Sequence, residues 1–129
     1  MLKLCFVALS FCIIGHRSQG QSLEESLARG EQVYQNECMI CHMKNGEGLS
    51  GAFPPLSNSD YFKNDVSKAV GAILNGLEGE LVVNGETYFG VMDPVPLSDQ
   101  ELVDVLNYVR NSWGGKANQL TTTDIQKMK

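Results

Sequence analysis

The stretch ECMICHMKNGEG, residues 37–48, places Cys38, Met39, Cys41, His42 and Met43 side by side. Thiols and an imidazole at this density serve as a metal clip, a redox dithiol or a covalent anchor for a larger group. The surrounding sequence separates these uses.

The chain has 129 residues, the length of one ordinary domain. Residues 1–20 read as a secretory signal peptide. Lys3 gives a positive start, the apolar run LCFVALSFCIIG is too short to cross a bilayer as a helix, and Ser18 and Gly20 place small residues before a cleavage site. The processed chain then begins at Gln21. Cys12 raises a rival, a lipidated cysteine, but the bulky Phe11 stands where such sites want a small residue. Cys5 and Cys12 lie inside the leader, so Cys38 and Cys41 remain, too few for a disulfide framework. No other apolar run reaches membrane length, so no stable membrane insertion of the mature domain is expected.

Of ten basic side chains, Lys3 and Arg17 fall in the leader; the remaining eight face fifteen acids, a net charge of −7. This disfavours nucleic acid and anionic membrane as partners and suits a protein partner with a basic docking face, or serves solubility alone.

Ser22 and Glu25 form a capping box, and Leu23, Leu27, Gly30 and Tyr34 follow at steps of four, three and four, which predicts an amphipathic helix. The same count reaches Cys38 and Cys41 and turns both sulfurs roughly the same way. Residues 44–60, KNGEGLSGAFPPLSNSD, predict an extended loop. A second helix is expected from Asn64 and Asp65, with Val66, Val70, Ile73 and Leu77 on one side and Gly76 placed to end it. Asn84 and Gly85 suit a tight turn between short strands near 81–88, after which VMDPVP breaks regular structure. Ser98 and Glu101 form a second capping box, and Leu102, Val105, Leu106 and Val109 predict a helix running up to Trp113. Residues 116–129 read as a polar tail or a short peripheral helix. The fold class is mainly α, with three main helices and long loops. So few apolar side chains leave a core that something else must complete.

Cys38, Cys41 and His42 have the spacing C, two residues, C, H, which is that of c-type haem attachment. Two thiols three apart can each form a thioether with a haem vinyl group, and the next imidazole then lies under the iron. A zinc site is the rival reading, but adjacent cysteine and histidine reach one ion poorly, and His42 is the one histidine outside the leader. A thioredoxin-like pair needs an alternating strand and helix pattern around it, which is missing here.

With Gly30 and Tyr34 before CMICH, then FPPL, TYFGVMDP and LSDQELVDVLNYVRNSW in that order, residues 26–114 resemble the small single-haem class I c-type cytochromes of bacteria. The resemblance implies a cytochrome c fold over residues 21–115, wrapped around one covalent haem c. It implies a methionine sulfur on the iron's other face, and Met92 is the matching position; Met39 and Met43 adjoin the anchor and Met128 lies in the tail. The family often has proline directly after this methionine, whereas here Asp93 precedes Pro94. It implies a backbone carbonyl from Pro54, with Pro55 as the alternative, holding the other ring nitrogen of His42. Gly30 is expected to admit a close crossing of the terminal helices near Tyr108. Tyr88 and Trp113 are candidates for haem contact, each with an ordinary core role as the alternative.

The function expected is electron transfer by an exported, periplasmic monomer that is not an enzyme: no nucleophile stands beside a base, and the acids are scattered. Its partners are expected among redox proteins such as a periplasmic dehydrogenase, a nitrite reductase or a terminal oxidase. The alternative is a haem protein with an open or labile sixth position that binds small ligands or acts as a peroxidase. A zinc-bound structural module stands as a third reading.

Overall fold

A computed structural model describes residues 21–63, 65–113 and 115–129; the leader expected at 1–20 lies outside them. The elements run α1 (Leu23–Glu37), α2 (Met39–His42), α3 (Val66–Asn75), β1 (Leu77–Val83), β2 (Glu86–Met92), α4 (Asp99–Asn111) and α5 (Thr122–Met128).

Both expected capping boxes form. The Ser22 hydroxyl accepts from Glu25 N–H at 3.2 Å and the Glu25 carboxylate accepts from Ser22 N–H, and Ser98 and Glu101 do the same at the head of α4. Asp65 caps α3 through Ser67 N–H, and Gly76 ends it. Each cap satisfies backbone donors that a helix start otherwise leaves unpaired.

α1 crosses α4 so tightly that a Cβ placed on Gly30 would lie 2.0 Å from the Asp104 carbonyl oxygen and 2.8 Å from Tyr108 Cβ. Around the crossing, the buried Asp104 accepts from Ser26 Oγ at 2.6 Å, from Gln100, and from Arg29 Nε at 2.7 Å. The ion pair is lopsided: the Asp104 side chain is 2% exposed and that of Arg29 is 40%.

The hairpin is longer than the expected 81–88. It pairs Leu77 with Met92 and closes at Val83 and Glu86. Asn84 and Gly85 both have positive φ, 53° and 80°, as a tight two-residue hairpin turn requires. Met92 therefore ends a strand rather than sitting in an irregular segment. The last fourteen residues also differ from a loose polar tail. Thr121 and Asp124 build a third capping box, Ile125 is fully buried, and Leu120 joins the same core. Asn107, itself buried, holds this segment by donating to the Leu120 carbonyl and accepting from Leu120 N–H.

Candidate haem cleft

α3, α4 and the hairpin turn apolar faces toward an internal cleft as well as toward one another. Ala69, Ala72 and Ile73 of α3, Leu77, Leu81 and Val83 of β1, and Val105, Leu106 and Val109 of α4 line a cavity of about 80 Å3. A second cavity of about 360 Å3 shares Cys38, His42, Pro54, Leu77, Leu81 and Met92 with the first, so the two are lobes of one cleft. Glu37, Glu78, Glu80 and Asp93 border its outer lobe, and among the described residues no lysine or arginine does.

Cys38 closes α1 and opens α2, a single helical turn that carries Cys41 and His42 into the cleft wall. Both thiols are free. Burial, with Glu37 and Cys41 adding to it, pushes the Cys38 thiol up to about 11. A thiol held protonated at neutral pH is unlike the thiolate that disulfide exchange requires.

His42 is 9% exposed. Burial lowers its pKa against the opposing pull of Pro54, so the imidazole is favoured in its neutral form. Its Nδ1 lies 2.9 Å from the Pro54 carbonyl oxygen, which can only accept, so Nδ1 carries the proton and Nε2 is the free ligand atom. The loop that presents Pro54 is fastened to the motif itself. Gly48 N–H donates to the His42 carbonyl at 3.0 Å, and Tyr34 Oη donates to the Met43 carbonyl at 2.7 Å. Gly48 has φ +64°, and a Cβ there would lie 2.4 Å from the Phe53 carbonyl oxygen and 2.8 Å from that of Pro54.

Met92 reaches both lobes from the end of β2, and Tyr88 lines the outer one, its hydroxyl donating to Glu86 at 3.0 Å. Glu86 in turn accepts from Ser50 Oγ and Gly51 N–H, which ties the hairpin to the long loop. Trp113 is not among the residues lining these two lobes. Its ring packs edge-on against Tyr34 and Tyr108, with centroids 5.6 and 5.9 Å away, and lies over Gly46. Asn107, Asp104, Gly46 and Gly48 were not singled out in the sequence; the glycine spacing of KNGEG was the available signal for the last two.

The donor set fits a covalent haem: two adjacent free thiols, a neutral imidazole with its tautomer fixed, a soft thioether and apolar walls. It fits zinc poorly, since among the described residues no three His, Cys, Asp or Glu side chains gather as an ion site.

The cytochrome c family model matches residues 27–113. The chain belongs to the cytochrome c family. Among similar proteins, cytochrome c-552 of Thermus thermophilus is 34% identical over 113 residues, which is 82% of this chain and 70% of that protein. The cytochrome c subunit of alcohol dehydrogenase (quinone) from Gluconobacter oxydans is 34% identical over 104 residues, 78% of this chain but 22% of that subunit. The gluconate 2-dehydrogenase cytochrome c subunit of Pantoea cypripedii is 29% identical over 108 residues, 24% of its length. The chain thus spans under a quarter of each of these two subunits. Membership identifies this cytochrome as a non-enzymatic electron carrier with covalently bound haem c. Among the described residues no helix is long and apolar enough to cross a membrane.

Proposed function

We propose that this cytochrome is an exported, periplasmic electron carrier in which Cys38 and Cys41 form the haem thioethers and His42 and Met92 are the axial ligands. The observation that carries this reading is that a neutral, oriented imidazole and a lone thioether, fifty residues apart in sequence, line the same apolar cleft. Bound haem c supplies a one-electron ferric and ferrous couple.

The chain's own residues set the conditions for it. Pro54 fixes the ring of His42 and raises its basicity through the Nδ1 proton. Met92 offers a soft sulfur that favours the ferrous state. The walls from α3, α4 and β1 keep water out, while Asp93, next to Met92, places an acid that favours the ferric state. The leader pattern supports export. The names of the dehydrogenase subunits it resembles support a dehydrogenase as electron donor.

The test is the absorption spectrum of the mature holoprotein, oxidised and reduced, for the weak far-red band of sulfur on ferric iron. The band is expected in the unmodified protein and lost in Met92→Ala, together with a fall in potential. A c-type spectrum without that band would move the reading to an open sixth position, where carbon monoxide binds the ferrous protein readily.

A further inference from the structure

We propose that the outer face of the β1–β2 hairpin is a docking surface for a redox partner that presents basic side chains around an apolar centre. This deepens the electron-carrier reading and rests on it.

The hairpin register carries the argument. Leu81 pairs with Tyr88 and Leu77 with Met92, and these four line the cleft. Side chains alternate along a strand, so the side chains of the intervening pairs, Glu78 with Val91, Glu80 with Phe89 and Val82 with Thr87, project from the other face, although Glu78, Glu80 and Val91 also border the outer lobe. Phe89, Val91 and Val82 are 67%, 69% and 53% exposed. Three large apolar side chains together on the solvent face of a two-stranded hairpin are an association surface in waiting, since nothing described in the chain covers them.

Charge decides the kind of occupant. Each of the two most exposed apolar side chains of the hairpin sits directly across from a carboxylate, Phe89 from Glu80 and Val91 from Glu78. Among the described residues neither glutamate is ion-paired, and Asp93 extends the same sign beyond Val91. A second copy of this chain would bring like charge against like, which costs affinity in an isologous contact. A partner with lysines or arginines around an apolar patch meets both features: the charges steer its approach and the apolar centre holds it briefly. The opposite face of the same strands bears Tyr88 and Met92, so such a partner stands one backbone layer from the cleft.

The probe is a gold electrode coated with a mixed monolayer of ammonium- and methyl-terminated thiols, on which the holoprotein's electron-exchange rate is read by voltammetry. Phe89→Ser with Val91→Ser, and separately Glu78→Gln with Glu80→Gln, are each expected to slow exchange about tenfold on this surface, as a loss of one decade in binding would. Both pairs are exposed, so the spectrum stays that of the unmodified protein; because Glu78 and Glu80 also border the cleft, each exchange rate is read at that variant's own midpoint potential. Glu24→Gln with Glu31→Gln on α1 is the control and leaves the rate unchanged. Equal rates for hairpin variants and unmodified protein, or an equal loss in the control, would overturn the proposal. So would sedimentation as a dimer that Phe89→Ser with Val91→Ser dissociates, which would assign the face to a second copy. The two readings fail separately: the far-red band tests Met92, and the comparison of rates tests the hairpin.

Discussion

Gly30 and Asp104 meet backbone to backbone, with room between the carbonyl oxygen of Asp104 and the Gly30 Cα for a hydrogen and nothing larger. Glycine inside a helix ordinarily costs up to about 1 kcal/mol relative to alanine, and here the close helix crossing offsets that cost. Gly30→Ala reverses the usual sign. The added methyl forces α1 away from α4 and is expected to cost about 1–3 kcal/mol, as overpacked cores do. Urea unfolding of the holoprotein, followed by haem absorbance, checks it through a lower midpoint.

The lopsided pair at the same crossing predicts an order of effects. Arg29→Ala leaves the buried Asp104 carboxylate with Ser26 and Gln100 as its remaining donors, whereas Asp104→Asn leaves an arginine that already reaches water. Stranding a buried charge is the costlier change. Arg29→Ala should lose about 1–3 kcal/mol and Asp104→Asn less; the reverse order in denaturant titrations would contradict the burial asymmetry.

Gly48 acts on His42 through Pro54. Gly48→Ala is strained at φ +64° and also presses a methyl on the Phe53 and Pro54 carbonyls, which weakens the Nδ1–H bond that makes the imidazole a stronger donor. The midpoint potential is expected to rise. Gly51→Ala has a comparable φ of +74° with open space around it, so it should lower stability and leave the potential alone. A redox titration of both variants separates displacement from strain.

The cap of α4 gives a pH dependence. The Ser98 hydroxyl, followed by its backbone N–H, holds Glu101 below the ordinary carboxylate value of 4.5. A depressed pKa contributes stability that is present above the unfolded value and is lost as pH falls through the folded one. Ser98→Ala should cost about 1 kcal/mol near neutrality. Its deficit should narrow below pH 4.5, which melting curves at pH 7 and pH 3 would resolve.

The parts of the fold legible in the sequence are those where the chain packs on itself. Ser22, Glu25, Ser98 and Glu101 announce α1 and α4, because capping is local chemistry. The CMICH spacing announces the site, because the attachment fits one short turn. The hairpin is harder to read for a physical reason: its inner face packs toward the cleft, so Gly79 and Gly90 fall where alternation would place large apolar residues, while Phe89 and Val91 face water. Met92 was placed by its match to the family, but its strand was hidden in the same way. Trp113 follows the last periodic residue of α4 and could be given to the cleft or to the aromatic cluster with Tyr34; only packing distinguishes them. α5 was missed as a core element because Ile125 is a single buried apolar residue in the polar run TTDIQKM, too little for any periodicity to register.

That short helix separates two units that are easily taken as one. The stretch matching the family, residues 27–113, contains every candidate cofactor residue, yet the core is closed by Leu120 and Ile125 beyond it. Were the chain cut after Gly115, the buried Asn107 amide would lose both of its bonds to Leu120, although neither residue lines the cleft. The stretch that holds the candidate ligands is thus shorter than the stretch that closes the core, and a graft of this cytochrome into another protein has to carry the second.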